Sequence, residues 1–269
     1  MTENPLIKKM QKIIPGTTVR LPSKGLFYKD KELSDDVVDG EIVLHPMTTL
    51  DEIIIRSPDM LFQGSAIEKV VSRCAPQVTK PSELFAKDID YILIMLRKLS
   101  YGDEILLKFI CPSVEGATDH EYVMNINHFI KHSKELDEEA MKRYKITLDS
   151  GMVLNLRPSK FNELVRMHQI DDETKTPEEL EQIIMLSILA VIKDVDGHSD
   201  RNIIEEWLKS LSVRHMREVV SKIAESNNYG PDFTYKITCK DCKKEHDISY
   251  ILNPVSFFTL PSSRETKPN

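Results

Sequence analysis

The feature that most constrains this fold is a pair of cysteines, Cys239 and Cys242, separated by two residues and flanked by strand-like segments. Residues 235–238 lead into the pair, and residues 246–251 follow it. A Cys-x-x-Cys at the tip of a β-hairpin supplies two thiolates, which form one side of a tetrahedral zinc site. The remaining ligands must come from other residues.

A second hairpin is predicted far upstream, from residues 106–112 and 120–126. This hairpin carries one cysteine where a complete zinc ribbon carries two. A site closed by four protein ligands leaves no position for water, so a zinc ion held there would be structural. The predicted ligands are Cys111, Cys239 and Cys242, with His246 or His120 as the fourth.

The alternative is a hairpin module without metal, held by its hydrogen bonds and core contacts. One Cys-x-x-Cys is compatible with either hypothesis. In both of them the two hairpins form one module from separated segments of the chain.

Strands next to long helices predict an α+β fold, with a mainly helical domain, short strands and the two-hairpin zinc-ribbon-like module. Everything between the hairpins becomes an inserted domain. We predict an N-terminal arm (1–18), an N-terminal α+β region (19–102), the hairpin module (103–126 and 232–258), a mainly helical inserted domain (127–231) and a flexible tail (259–269).

Several helix boundaries can be predicted from capping residues. Thr48, followed three positions later by Asp51, predicts a helix start, and Thr176 before Pro177 predicts another. The second of these helices is expected to run to about residue 192. A helix is also predicted from residue 81 to about residue 99, and the charged region 127–145 is predicted to be helical.

Composition and motifs exclude several functional classes. The chain has 269 residues, a net charge of −7 and four cysteines, which predicts an intracellular protein without disulfides, a signal peptide or a membrane span. The negative charge argues against general nucleic-acid binding. Phosphate-binding loops, GxSxG and HExxH are all missing, so we expect no enzymatic activity.

The segment 21–28 (LPSKGLFY) predicts a turn, because Pro sets φ and Gly supplies a positive φ. One interpretation is a structured loop anchored by apolar residues. The other is a surface that binds a partner, since exposed apolar and aromatic loops concentrate binding energy. The predicted partner-binding residues are Leu21, Leu26, Phe27 and Tyr28.

An ordered set of short segments resembles the small baseplate proteins of T4-like contractile-tailed phages, which are associated with assembly of the baseplate hub. No single segment is specific; the order and spacing carry the resemblance. The set comprises residues 21–28, 47–52 (MTTLDE), 96–102 (LRKLSYG), Cys111-Pro112, Cys239 with Cys242, and 254–258 (PVSFF). Family members often have a complete Cys-Pro-x-Cys in the first hairpin, which this chain lacks, and that puts zinc in question.

The resemblance implies a non-enzymatic protein that binds baseplate hub and tail proteins as a chaperone, a scaffold or a minor structural subunit. It also implies a location in the host cytoplasm or in the tail baseplate of the virion. Self-association into a homo-oligomer stays open. The rival hypothesis is a zinc-ribbon regulator that binds nucleic acid, for which Lys236, Lys240, Lys243 and Lys244 near the Cys-x-x-Cys would form the basic surface.

Overall fold

The computed structural model describes residues 15–29, 31–114, 116–168, 176–226, 228–252 and 257–258. The described elements are helices mixed with small antiparallel sheets, which confirms the α+β class. The predicted tail lies outside the described residues, as does the predicted arm except for residues 15–18. The five-part domain division stays a prediction.

The N-terminal region places a two-stranded sheet beside four helices. Val19 pairs with Ile42 in this antiparallel sheet, and both side chains are buried. A short 3₁₀ turn, Pro81–Glu83, precedes the longest of the four helices. The elements are β1 (Thr17–Arg20), β2 (Glu41–Leu44), α1 (Thr49–Ile55), α2 (Pro58–Phe62), α3 (Ser65–Cys74) and α4 (Ala86–Tyr101).

The remaining elements form two separate hairpins, with a three-stranded sheet and six helices between them in sequence. The hairpins are β3 (Glu104–Phe109) with β4 (His120–Asn125), and β8 (Thr234–Thr238) with β9 (Glu245–Ser249). Between them come α5 (Asn127–Lys131), α6 (Glu138–Lys142), β5 (Lys145–Thr147), β6 (Val153–Leu156), α7 (Phe161–His168), α8 (Pro177–Val191), β7 (Ile192–Val195), α9 (Arg201–Ser210) and α10 (Val213–Ser226).

Both predicted helix caps are confirmed. The Thr48 hydroxyl accepts from the Asp51 backbone N–H, and the Asp51 carboxylate accepts from the Thr48 backbone N–H at 2.8 Å. Thr176 forms the same reciprocal pair with Glu179, and Pro177 occupies the first turn of α8. Each arrangement satisfies two backbone donors that a helix start leaves without partners.

Two predicted helical regions differ from the structure, and one predicted helix end is confirmed. The helix predicted from residue 81 begins at residue 86, because the backbone of residues 84–86 pairs with residues 159–161. The helix predicted to run to about residue 192 ends at residue 191, as expected, and residue 192 begins strand β7, which pairs with β6. The predicted helical region 127–145 contains two five-residue helices and the start of strand β5.

The buried apolar residues form two clusters. The first cluster packs β1, β2, α1, α3 and α4 against the β3–β4 hairpin, together with Phe257 and Phe258. The second cluster spans residues 136–229 and packs the three-stranded sheet against α6, α8, α9 and α10. The segment 21–28 lies where the two clusters meet, since Leu21 belongs to the first while Leu26 and Phe27 pack against the second.

Candidate metal centre

The two hairpins bring together four side chains that can bind a metal. Cys111 follows strand β3, Cys239 and Cys242 lie in the turn between β8 and β9, and His246 lies on β9. Their ligand atoms all lie within 4.8 Å of one another. These are the four residues that the sequence predicted, and the chain brings them together across more than a hundred intervening residues.

The β8–β9 turn explains how three of the four ligands converge. The backbone N–H of Cys239 donates to the Lys244 carbonyl at 2.9 Å, and that of Lys243 donates to the Cys239 carbonyl at 3.1 Å. Lys243 has a positive φ of 60°, which lets the chain reverse within a few residues. Strand pairing then places Ile237 opposite His246, so the imidazole lies beside the two thiols.

The structure distinguishes the two histidines proposed as the fourth ligand. His246 Nε2 lies 3.1 Å from Cys242 Sγ and 3.9 Å from Cys111 Sγ. The Nε2 atom of His120 instead lies 2.7 Å from an Asp241 carboxylate oxygen. His246 therefore completes the cluster, and His120 forms a polar contact between the two hairpins.

The surroundings of the thiols affect their ionisation differently. Cys111 and Cys239 are buried, and burial raises the pKa of Cys111. Burial also opposes ionisation of Cys239, but the backbone N–H groups of Cys242 and Asp241, with the neighbouring thiols, lower its pKa to about 7. The thiolate is the form of cysteine that binds metal, and the lowered pKa makes Cys239 ionise near neutral pH.

The donor set fits a single tetrahedral cation. Zinc binds sulfur at about 2.3 Å and imidazole nitrogen at about 2.0 Å, which puts ligand atoms about 3.7 Å apart. The four ligand atoms lie within 4.8 Å of one another, so side-chain movements of about 1 Å would bring them to the distances that a zinc ion requires. Thiolates are soft ligands and imidazole is a borderline one. Magnesium and calcium prefer oxygen ligands, so this set of side chains disfavours both ions.

Contacts outside the four ligands hold the hairpins against each other. The backbone N–H of Lys240 donates to the Tyr122 hydroxyl at 2.8 Å, and its ammonium donates to the Glu121 carbonyl at 2.6 Å. The same ammonium lies 4.8 Å from the centre of the Tyr122 ring, and the Phe109 ring lies 5.4 Å from that of His246. These contacts join the two hairpins beside the four candidate ligands.

The segment predicted to bind a partner is packed more deeply than an exposed loop. Leu21 is fully buried, whereas Leu26, Phe27 and Tyr28 are partly buried against the two clusters. Gly25 has a positive φ of 74°, as predicted for this turn. The segment is therefore an anchored loop in this structure, and partner binding by its residues stays a prediction.

Asp88, which was not predicted as a functional residue, is the side chain that anchors this loop. The buried Asp88 carboxylate accepts from the Ser23 backbone N–H at 3.0 Å, from the Ser23 hydroxyl, and from the Tyr28 hydroxyl at 2.7 Å. Tyr28 in turn accepts from the Phe85 backbone N–H at 2.8 Å. Burial raises the pKa of Asp88 to about 6, although its three donors favour the charged form. The sequence did contain a signal for this role, since Asp88 lies next to the apolar positions of a predicted helix.

Arg97 is a second buried charge that sequence reasoning did not identify. Its guanidinium donates to the backbone carbonyls of Phe257 at 2.8 Å, Gly102 at 3.0 Å and Glu104 at 2.7 Å. These bonds connect the end of α4, the start of β3 and the C-terminal Phe257–Phe258 pair. Arg97 therefore attaches the hairpin module to the first core.

Within the described ranges, no helix combines the length and the apolar character that crossing a membrane requires. Comparison with protein-family models matched the family described as T4 bacteriophage base plate protein, over residues 21–259. Searches of curated proteins and of solved structures gave no match. The match includes both hairpins, all four candidate metal ligands and both cores except Val19 on strand β1, and it confirms the predicted resemblance. The chain belongs to the T4 bacteriophage base plate protein family.

Proposed function

We propose that this protein acts without catalysis in the assembly of the contractile-tail baseplate hub, through contacts with other tail proteins. It does so as a chaperone, a scaffold or a minor structural subunit. The family match over residues 21–259 carries this proposal. The sequence adds support, because it lacks the common motifs of nucleotide-dependent, hydrolytic and metalloprotease catalysis.

The metal centre is proposed to be a structural zinc site. The support is the set of three cysteines and one histidine, whose ligand atoms lie within 4.8 Å of one another. Because all four positions of a tetrahedral ion are taken by side chains, no position remains for a water nucleophile. A bound ion would join Cys111 to the β8–β9 turn and restrain the long segment between them.

The nucleic-acid hypothesis has less support. Of the four lysines near the Cys-x-x-Cys, Lys236 lies 3.9 Å from the Asp247 carboxylate, and Lys240 is bound to the opposite hairpin. A phosphate-binding surface needs several basic groups that are free to face the backbone of the nucleic acid. Lys243 and Lys244 form no ion pair with another described residue, but the acidic neighbour of Lys236 weakens the basic surface, so a protein partner is the better proposal.

Affinity capture from phage-infected cells tests the assembly role. The tagged protein is expected to recover baseplate proteins, identified by mass spectrometry, and purified virions are probed for the protein in parallel. Absence from virions would indicate a chaperone or scaffold, and presence would indicate a structural subunit. Recovery of nucleic acid without any tail protein would contradict the proposal.

Elemental analysis of protein purified without chelators tests the metal proposal. Stoichiometric zinc is expected in the full chain. Protein that contains no zinc, and takes up none when zinc is added under reducing conditions, would support the hairpin module without metal.

A further inference from the structure

A cleft of about 470 Å³ opens beside the junction of the two cores. Its lining includes the aromatic residues Phe27, Phe85 and Tyr144, together with Leu156. The Phe27 ring lies 5.0 Å from the Tyr144 ring and 6.4 Å from the Phe85 ring, each in an edge-on arrangement. Phe85, Tyr144 and Leu156 are buried, so the half-buried Phe27 ring is the member of this group that can contact a ligand side chain.

Two ion pairs form part of the cleft wall and neutralise two of its carboxylates. Arg157 pairs with Glu163, and the Lys160 ammonium donates to Glu83 at 2.5 Å. The hydrogen bond from Lys160 lowers the pKa of Glu83, and Asn162 donates to the other oxygen of that carboxylate at 2.7 Å. These pairs stiffen the wall without adding net charge.

Four further cations line the same cleft: Lys29, Lys145, Arg166 and Lys193. All four are exposed, and none forms an ion pair with another residue in the part of the chain that the structure describes. Glu32 is the other acidic residue of the lining. The cleft is thus locally positive in a chain whose net charge is −7. Such a local field attracts negatively charged partners.

We propose that this cleft binds an acidic peptide segment of a baseplate partner. Side-chain carboxylates of the segment would lie against the four cations, and an apolar or aromatic side chain would pack near Phe27. The inference rests on the proposed assembly function, since that function supplies the partner.

The lining favours a protein segment over a nucleic acid. Glu83 and Glu163 lie among the cations and interrupt the continuous basic track that a phosphate backbone requires. The half-buried Phe27 ring adds an apolar contact of the kind from which peptide segments gain binding energy.

Fluorescence anisotropy with the full chain tests this site. The probe is a fluorescein-labelled synthetic peptide of Glu and Asp residues around a central Phe, and the control peptide replaces each acid with Gln or Asn. Only the acidic peptide is expected to bind. Affinity should fall with added salt, since the cations are exposed.

A matched pair of double variants separates the cleft from the overall charge. Lys145→Glu with Lys193→Glu reverses two cleft cations and should weaken peptide binding by about tenfold. Lys69→Glu with Lys131→Glu makes the same change of net charge at exposed positions outside the cleft, and should weaken binding by less than about twofold. Thermal melts of both variants verify that each is folded.

Four results would overturn the inference. These are no binding of the acidic peptide, equal weakening by the two double variants, tighter cleft-dependent binding of an oligo(dT) probe, and cleft-dependent dimerisation in sedimentation experiments. The last two would assign the cleft to nucleic acid and to a second copy of this chain, respectively.

Affinity capture with the wild type and with the cleft variant separates this inference from the assembly function. Baseplate proteins recovered by the wild type, without peptide binding, would leave the function standing and overturn the cleft. Cleft-dependent peptide binding, without recovery of any baseplate protein, would support the site and overturn the function.

Discussion

The candidate metal centre and the Asp88 contact both join distant parts of the chain, but they differ in the bonds that their own side chains can form. Asp88 receives its three hydrogen bonds from Ser23 and Tyr28 in a buried position. The thiols around His246 are weak hydrogen-bonding groups, and bringing them close yields little energy until a cation binds them. We therefore expect local stability to depend on metal concentration at the candidate metal centre and to be independent of it at the Asp88 contact.

The two regions also differ in where they lie in the molecule. The hairpin module lies beside the first core and has exposed apolar residues such as Ile110, Val123 and Ile251. The Asp88 contact lies between the two cores and is shielded from water. A small module with little buried apolar area gains much of its stability from a cross-link. A buried loop is stabilised instead by its packing and hydrogen bonds.

The largest expected effect comes from removing a metal ligand. Cys239→Ala should abolish stoichiometric zinc binding and loosen both hairpins, because structural zinc contributes on the order of 10 kcal/mol in small zinc-dependent folds. The matched control is Cys74→Ala, which removes a buried thiol of α3 outside the metal cluster. Zinc content and hydrogen exchange of β8 and β9 are the measurements. Equal zinc content in both variants would refute the assigned ligand set.

Removing the Asp88 carboxylate is expected to have the next largest effect. Asp88→Ala leaves the buried donors of Ser23 and Tyr28 without an acceptor, which should lower the free energy of unfolding by about 3 kcal/mol. Ser23→Ala removes one side-chain donor and should cost about 1 kcal/mol. Urea denaturation measures both values, and zinc content should not change. A loss of zinc in Asp88→Ala would show that the two regions are coupled.

The pH dependence of stability tests the same carboxylate. Burial raises the pKa of Asp88 to about 6, compared with 3.8 for an unperturbed aspartate. The folded state therefore holds a proton that the unfolded state has released, so this stabilisation is complete below the unfolded pKa and is lost as pH rises through about 6. Between about pH 7.5 and about pH 5.5 it amounts to about 1 kcal/mol.

Denaturation of wild type and Asp88→Asn at both pH values isolates this contribution. Asp90 on the same helix also has its pKa raised to about 6, chiefly by burial and further by the Asp88 charge, which Asp88→Asn removes. The wild type is expected to gain more stability on acidification than the variant does. Equal pH dependence would show that Asp88 does not titrate in this range.

The smallest expected effect is that of removing the Tyr229 hydroxyl, and the Tyr28 hydroxyl provides the comparison. The buried Tyr229 hydroxyl has no hydrogen-bond partner among the described residues, so Tyr229→Phe should leave stability unchanged or raise it by up to about 1 kcal/mol. The Tyr28 hydroxyl donates to Asp88 and accepts from Phe85, so Tyr28→Phe should cost about 1–2 kcal/mol. Thermal denaturation compares the two variants. A destabilised Tyr229→Phe would indicate a buried water at that hydroxyl.

Local chemistry made part of this structure predictable. Both caps involve residues three positions apart, so Thr48 with Asp51 and Thr176 with Glu179 could be identified without knowing the fold. The Cys-x-x-Cys likewise carries its hairpin geometry within a few residues. Strand β7 was missed because its apolar residues continue the helical run before it, and only pairing with β6 distinguishes the two states.

The sequence by itself determined the α+β class, the family, the helix caps and the types of side chain available as metal ligands. The tertiary structure decided that His246 rather than His120 joins the three cysteines, since pairing of β8 with β9 places one imidazole beside the thiols while Asp241 binds the other. It also decided that segment 21–28 is anchored by Asp88. These choices depend on contacts between residues far apart in sequence, which burial and strand pairing select and short-range patterns do not encode.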